Sequence, residues 1–462
     1  MRIFYGLILG SILVTIFLIS YKRNKDLFSP LCIYSLFQFL RYVPNIIWAD
    51  EEHWFFLDDY NTLKLLCMEL VVIFSVVVGY LFYNGRFSST EKQFGVIKTK
   101  KSISLTIIMV IFLIGLSSRF YVIYQSGGIL YILNNIGTAY LGLSSSGLGY
   151  VIALSSLMII SMLMLLDKIK TEKQYNNDRK KLAYNLIFYK IILLIMITSY
   201  ALSYLLFSSR SPVMEMVMIL AFGFNYLYKK FKLRYLLKPR YFGFVILIFG
   251  IIVLMPIIRN SGDNKLSSEA LVEMLGDNFT EIFDEFSNVG RDAYVYDHFN
   301  LNNFWFGKTY LNLVKAPIPS SLYPNKPPMD DGIYLNQLLH GYDVSPNQGR
   351  TELLFNYSIP FSTQGAMYAN FGILGVIISG LFMGMLYARF YKIVKDTKIV
   401  FTIIIYQLII YQLELTTLSI MQTIIPLIIV LVVYRTVSGV RIIRYKKMDG
   451  RKKDIGRLGI NE

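Results

Sequence analysis

The sequence carries little charge for its length. Only 16% of its 462 residues are Asp, Glu, Lys or Arg, while 55% are apolar; soluble domains have roughly 25% charged and about 45–50% apolar residues. The apolar residues fall in successive blocks long enough to cross a hydrocarbon core of about 30 Å. This composition excludes a soluble multidomain enzyme and predicts an all-α, polytopic integral membrane protein.

Cysteines, nucleotide-binding motifs and internal repeats are scarce or absent. The two cysteines, Cys32 and Cys67, both fall in apolar segments, so neither a disulfide framework nor a zinc site is expected. No P-loop, dinucleotide fingerprint or nucleophile elbow occurs in a credible context, which argues against nucleotide-driven chemistry. The lack of a repeat removes the usual indication of an inverted-repeat transporter.

Eleven segments have the length and apolarity of transmembrane helices. They are residues 3–20, 27–49, 63–83, 103–124, 150–166, 186–207, 213–228, 241–258, 365–387, 399–413 and 418–434. The first lacks a signal-peptide cleavage site and is interpreted as a retained span. The chain is therefore predicted to have four parts. Residues 1–258 contain eight spans, 259–364 form one large extracytoplasmic loop, 365–434 contain three spans, and 435–462 form a basic tail.

Lysine and arginine are distributed unevenly over the connecting segments. Segments 22–25, 86–101, 168–181, 229–240, 389–398 and 435–457 are rich in them, whereas 50–61 and 125–149 contain none. Basic loops stay on the cytoplasmic side of a membrane, which predicts an outside N-terminus and a cytoplasmic C-terminus. These loops explain the net charge of +16, so membrane lipids are expected as partners and nucleic acid is not.

Arginines near the outer half of the predicted membrane region are the most informative polar residues. A buried guanidinium is costly and usually faces a cavity or a partner. Four are expected at a similar depth: Arg41, Arg119, Arg210 and Arg259. Guanidinium groups bind phosphate through paired hydrogen bonds, so this set would suit a lipid pyrophosphate headgroup. The alternative is that each arginine snorkels or contacts ordinary phospholipid.

The large loop contains further residues suited to acid–base chemistry. Arg291 and Arg350 each follow a glycine and stand near a carboxylate, so local ion pairs are an alternative to a catalytic role. His298 and Glu352 are candidates for a base that activates a hydroxyl, or else solvated loop residues. The sequence has no recognisable metal-site spacing. Aromatic residues between 294 and 342 could stack on sugars or form the core of the loop.

Two segments of the chain resemble a known family. They are the proline-rich run 316–327 (APIPSSLYPNKP) and, above all, 362–375 (STQGAMYANFGILG), which leads into a predicted span. Both are similar to segments of the Wzy-type oligosaccharide repeat-unit polymerases. Members of this family commonly combine many spans with one dominant extracytoplasmic loop, and the predicted architecture agrees with that pattern.

The resemblance implies an enzyme of the bacterial inner membrane that needs no cofactor. It would move a growing glycan from undecaprenyl pyrophosphate to a lipid-linked repeat unit, and so make O-antigen or capsular polysaccharide. The arginines that fit the family's central role are Arg210, Arg291 and Arg350. A base would come from the acidic and histidine residues of the loop: Asp292, His298, His340 and Glu352.

A chain-length regulator protein is a further expected partner by analogy. Two other functions stay open on the sequence. One is the related ligase that hands finished polymer to an acceptor, which would share the helices and the arginines. The other is a flippase or exporter of lipid-linked oligosaccharide.

Overall fold

The computed structural model describes residues 1–48, 58–87, 93–97, 103–134, 149–175, 179–207, 211–228, 230–231, 287–316, 318, 322–323, 325–346, 358–437 and 441–445. Within these ranges the chain is mostly helical. The first part contains α1 (Arg2–Asn24), α2 (Pro30–Trp48), α3 (Asp59–Phe82), α4 (Leu105–Gln125), α5 (Gly128–Asn134), α6 (Gly149–Leu154), α7 (Ser156–Tyr175), α8 (Arg179–Leu205) and α9 (Ser211–Gly223).

The second part begins with three short helices, α10 (Val289–His298), α11 (Lys308–Lys315) and α12 (Gly332–Leu339). The long α13 (Thr363–Thr397), α14 (Val400–Gln407) and α15 (Thr417–Val437) follow. π-helical turns at Tyr83–Phe87, Phe224–Tyr228 and Leu408–Gln412 extend α3, α9 and α14. Strands β1 (Gln93–Ile97) and β2 (Arg441–Tyr445) pair antiparallel, with Gly95 opposite Ile443.

Among the described residues, seven helices are long and apolar enough to cross a membrane. They are Arg2–Asn24, Asp59–Gly85, Leu105–Gln125, Val151–Gln174, Leu182–Leu205, Thr363–Thr397 and Thr417–Val437. The predicted spans 27–49, 213–228 and 399–413 form helices that are shorter or less apolar, and 241–258 lies outside the described residues. A helical chain consistent with a multi-pass membrane protein is thereby confirmed, whereas the count of eleven stays a prediction.

Helices α3 and α13 pack closely because glycines line their contact. A Cβ atom added at Gly384 would lie 2.1 Å from the carbonyl oxygen of Val76. One added at Gly79 would lie 2.2 Å from the carbonyl oxygen of Leu381. The two backbones therefore touch, as small residues allow between membrane helices. This contact aligns the polar side chains that both helices carry closer to the loop.

Helix α13 bends at Gly372, whose φ of 62° and ψ of −155° suit glycine and disfavour other residues. The carbonyl oxygens of Ala369 and Asn370 accept hydrogen bonds from the backbone N–H groups of Trp305 and Phe306, both at 2.9 Å. Backbone groups that an unbent helix would use internally thus attach the segment around Trp305 and Phe306 to α13.

Side chains complete this attachment. The Asn370 side-chain oxygen accepts hydrogen bonds from the N–H of Gly307 (3.1 Å) and the hydroxyl of Thr309 (3.0 Å). The buried Trp305 ring is surrounded by three aromatic rings, those of Phe299, Tyr334 and Phe361, with centroids 5.0–6.2 Å away. For Phe299, Trp305 and Tyr334, the alternative that the aromatic residues form the core of the loop is the one observed.

Candidate functional site at the junction of loop and bundle

Buried polar side chains meet where α10 packs against α2, α3 and the start of α13. The Tyr42 hydroxyl donates to Asp292 Oδ2 (2.5 Å), and the Ser362 hydroxyl donates to Asp292 Oδ1 (2.6 Å). Gln364 Nε2 donates to Glu69 Oε1 (3.0 Å) and also to the Tyr42 hydroxyl. We call these five residues the carboxylate network, because they link two buried carboxyl groups through neutral side chains.

The start of α13 explains how this network is assembled. Ser362 is the N-cap of α13, and its oxygen accepts the backbone N–H of Gly365 at 2.9 Å, as N-cap serines do. The same hydroxyl donates its hydrogen to Asp292. One side chain therefore caps the N-terminus of the helix and also binds the carboxylate. A Cβ atom at Gly365 would lie 2.6 Å from Asp292 Oδ1. The helix start therefore leaves room only for glycine there.

Burial sets the electrostatics of the network. Asp292 is 1% exposed, and burial raises the pKa of its carboxyl group from 3.8 to about 6, although hydrogen bonds from Ser362 and Tyr42 lower it. Glu69 Oε2 and the Tyr296 hydroxyl are buried without a hydrogen-bond partner among the described residues. Such oxygens are costly to the fold. Within the network, Glu69 thus lacks a donor for one of its two carboxyl oxygens, which indicates that stability alone does not explain the arrangement.

An ion pair and a small cavity lie next to the network. Arg41 Nη2 is 2.7 Å from Glu414 Oε1. Both residues line a cavity of about 70 Å³, together with Gln38, Gln364 and Tyr387. The side-chain oxygen of Gln38 is buried without a partner in the described part of the chain. The cavity therefore presents a guanidinium, a carboxylate and two amides to any molecule that enters it.

Arg291 stands beside Asp292 at the start of α10. It donates to the Pro360 carbonyl oxygen (2.9 Å), to Asn288 Oδ1 (2.7 Å) and to the Ser287 carbonyl oxygen. Burial lowers the pKa of its guanidinium, the charge of Asp292 raises it, and the charge of Arg41 lowers it further. Arg41, from a predicted span, and Arg291, from the predicted loop, are thus close enough for the charge of one to affect the pKa of the other.

Arg119, in contrast, contacts the end of α8. It donates to the Ser203 carbonyl oxygen at 2.9 Å, and its guanidinium carbon lies 3.9 Å from the centroid of the Tyr204 ring. It is 3% exposed. These partners belong to a different part of the bundle from those of Arg41, so these two members of the predicted arginine set occupy separate environments.

The predicted base His298 lies at the opposite end of α10 from Arg291. Its ring stacks on Tyr294 with centroids 5.3 Å apart, and burial lowers its pKa. His340 is exposed at the end of α12. Four predicted site residues lie outside the described residues: Arg210, Arg259, Arg350 and Glu352. Their convergence with the network stays a prediction.

Sequence patterns did not single out Glu69, Tyr42 or Gln364. One signal was present, since Glu69 is an ionisable residue within the apolar segment 63–83, and such residues usually face a partner or a cavity. Tyr42 gave no such signal, and Gln364 was noted only as part of the segment 362–375, without a role of its own. Their importance depends on contacts between distant parts of the chain.

No family model, curated protein or solved structure matches the chain. The chemistry of the site is therefore argued from its geometry. Within the described ranges, no group of three or more His, Cys, Asp or Glu side chains is arranged to hold a metal ion. What the described residues bring together is a carboxyl group that can exchange a proton near neutral pH and two guanidinium groups that can bind an anion.

Proposed function

We propose that the protein polymerises undecaprenyl-pyrophosphate-linked oligosaccharide repeat units into O-antigen or capsular polysaccharide. The observation that carries the proposal is the carboxylate network beside Arg41 and Arg291. Glycosyl transfer from a pyrophosphate requires a base and cationic groups for the leaving anion. The segment 362–375, which resembles the polymerase family, supplies Ser362 and Gln364 to this network.

In this reaction, a hydroxyl oxygen at the non-reducing end of the acceptor unit attacks the anomeric carbon of the donor glycan. The bond between that carbon and the pyrophosphate oxygen breaks, and undecaprenyl pyrophosphate leaves with the bonding electrons. Asp292 takes the hydroxyl proton, because its pKa of about 6 is closer to neutral pH than that of an ordinary carboxyl group. Arg41 and Arg291 bind the pyrophosphate and offset the charge that develops on it.

Asp292 is a better candidate for the base than His298. Asp292 adjoins Arg291 in the chain and is bonded to Tyr42, whereas His298 lies nearly two helical turns further along α10. A base has to reach the same reacting centre as the anion-binding groups. Glu69 is linked to Asp292 only through Gln364 and Tyr42, so we assign it a positioning role.

The proposal also includes a detailed membrane topology. It comprises eleven spans, one large extracytoplasmic loop, an outside N-terminus and a cytoplasmic C-terminus in the bacterial inner membrane. The pairing of β1 with β2 supports it, because β1 lies in the segment 86–101 and β2 in the tail 435–457, both assigned to the cytoplasm from their basic residues. The proposed partners are the donor and acceptor lipid-linked glycans and a chain-length regulator.

A flippase or exporter of the same lipid-linked units is the second candidate. One observation favours it, namely that Glu69 is fully buried within a helix long and apolar enough to span a membrane. Ionisable residues in such positions often line transport paths. The related ligase would use the same base and arginines as the polymerase, so only the reaction products distinguish those two enzymes.

The test is to delete the gene in its host and to size the surface and lipid-linked glycan by gel and mass spectrometry. The deletion is complemented with the wild-type chain, Asp292→Asn, Arg291→Lys or the control Arg389→Gln, which changes an exposed arginine of α13. We expect single repeat units at the outer face in the deletion strain and in the strains with Asp292→Asn or Arg291→Lys. The wild-type chain and Arg389→Gln should restore long polymer.

Other products would overturn the proposal. Long polymer that remains on its lipid carrier would identify a ligase, and repeat units trapped at the inner face would identify a flippase. Unchanged glycan in the deletion strain would refute all three functions.

A further inference from the structure

Helix α11 is amphipathic, but its apolar face points away from the protein, whereas the apolar face of a helix in a soluble domain points toward the core. Two uncharged polar residues face the protein, since the Thr309 hydroxyl donates to the Asn370 side-chain oxygen and Asn312 Nδ2 donates to the Pro346 carbonyl oxygen at 2.9 Å. Its apolar residues face outward, with Leu311 57% exposed and Val314 77% exposed. An outward apolar face beside inward hydrogen-bonding groups is the pattern of a helix surrounded by lipid.

This outward face continues onto a membrane-spanning candidate. The ring of Tyr310 stacks on Phe371 of α13 with centroids 6.3 Å apart and an interplanar angle of 9°. Beyond Phe371, α13 exposes Leu374, Ile378 and Phe382. We call Leu311, Val314 and the adjoining Phe306, which is 66% exposed, the α11 face. The stacking of Tyr310 on Phe371 brings this face next to the exposed apolar surface of α13.

The position of α11 along α13 agrees with the thickness of a membrane. Phe371 precedes the exposed Arg389 by eighteen residues, which corresponds to about 27 Å of helix at 1.5 Å per residue. A hydrocarbon core is about 30 Å thick. If Arg389 lies at one membrane surface, Phe371 and α11 lie at the other.

We propose that α11 lies in the membrane interface, with the α11 face inserted among the acyl chains of the leaflet next to the loop. Lys308 and Lys315 bound this face at the two ends of the helix, where their charges can reach lipid phosphates. The occupant is ordinary phospholipid, because the face adjoins the exposed apolar side of α13, a helix long and apolar enough to span a membrane. This inference does not depend on the proposed enzymatic function.

Spin-label accessibility in the full-length protein tests the proposal. Cys67 is the exposed cysteine, whereas Cys32 is buried, so the background is Cys67→Ser. Leu311→Cys and Val314→Cys are labelled with a nitroxide and reconstituted in phosphatidylcholine–phosphatidylglycerol vesicles. Phe382→Cys on α13 is the lipid-facing control, and Asp343→Cys, at an exposed position after α12, is the water-facing control.

We expect labels at 311 and 314 to match the label at 382. Collisions with oxygen should be frequent, and collisions with the water-soluble reagent NiEDDA should be several-fold rarer than at 343. NiEDDA access equal to that at 343 would show that the face is in water and would overturn the proposal. Immobilised labels that neither oxygen nor NiEDDA reaches would also overturn it, since the occupant would then be protein, such as a second copy of the chain.

Discussion

Two buried carboxylate sites in the same bundle differ in their supply of hydrogen-bond donors. Asp26, between α1 and α2, is 1% exposed and accepts hydrogen bonds from Asn225, Tyr226, Tyr391 and the N–H of Phe28 at 3.0–3.3 Å. In the carboxylate network, by contrast, Gln364 serves both Glu69 and Tyr42, and Glu69 Oε2 has no partner among the described residues.

The difference distinguishes a carboxylate with a full set of donors from the one to which the proposed mechanism assigns proton transfer. The donors around Asp26 come from three different regions of the chain, so the carboxylate ties the turn after α1 to α13 and to the π-helical turn after α9. Among the described residues, in contrast, Asp292 accepts hydrogen bonds from Tyr42 and Ser362 only, and burial raises the pKa of its carboxyl group to about 6. Asp26 therefore holds helices together, whereas the proposed mechanism assigns proton transfer to Asp292.

The largest effect is expected for Asp292→Asn. The amide keeps the shape of the side chain but cannot accept the acceptor's proton. We expect the polymerisation rate to fall by about 10²–10⁴-fold, the usual contribution of an acid–base group. The measurement is polymer formation from lipid-linked repeat units by purified protein in proteoliposomes. A rate close to wild type would remove Asp292 from the mechanism.

Asp26→Asn should lower the stability of the protein and leave its activity unchanged. The amide retains one acceptor oxygen and loses the charge that its four donors stabilise. We expect the free energy of unfolding to fall by about 1.5–3 kcal/mol, the range for hydrogen bonds to charged groups. Thermal unfolding in detergent measures this change. The rate per folded molecule should stay unchanged, and a loss of rate with full stability would contradict a purely structural role.

Glu69→Gln should separate stability from activity. A neutral amide removes the need to bury a carboxyl group with an unpartnered oxygen, so the melting temperature should stay equal or rise. The polymerisation rate should fall about tenfold, one decade less than the lower limit for a direct acid–base group. A lowered melting temperature, as expected for Asp26→Asn, would show that the two carboxylates are alike.

The pH dependence should show the smallest effect. Because the pKa of Asp292 is about 6, the polymerisation rate should rise with pH through that value as the base ionises. The positive charge of Arg291 lowers this pKa, so the residual rate of Arg291→Gln should show its rising limb at higher pH than the wild-type rate. The profile, measured between pH 5 and 8 in the same assay, would contradict the assignment if it moved to lower pH or stayed in place.

The same pKa also predicts the pH dependence of stability. The pKa of Asp292 is about 6 in the folded state, whereas its ordinary value, taken for the unfolded chain, is 3.8. The folded protein therefore binds more protons than the unfolded chain between about pH 4 and 6, and the free energy of unfolding should fall as pH rises through this window. Asp292→Asn should remove this contribution.

Much of the helical architecture could be predicted from apolar segment length alone, as for 63–83 and 103–124, because membrane helices need long uninterrupted runs. The segment 27–49 was harder, since Arg41 and Pro44 interrupt its apolar residues although α2 is helical throughout. In the site, Arg291 and Asp292 were predictable as polar neighbours of a glycine. Their partners were not, because Tyr42 and Asp292 are 250 residues apart and no local pattern records such a contact.

The bend at Gly372 also determines how the molecule can be divided. Because Ala369 and Asn370 use their carbonyl groups to hold Trp305 and Phe306, the first two turns of α13 belong to the loop as much as to the bundle. A cut at residue 364 would leave the loop without these acceptors and the network without Gln364. A fragment that ends before α13 would therefore lose the acceptors that hold Trp305, Phe306 and Gly307 in place.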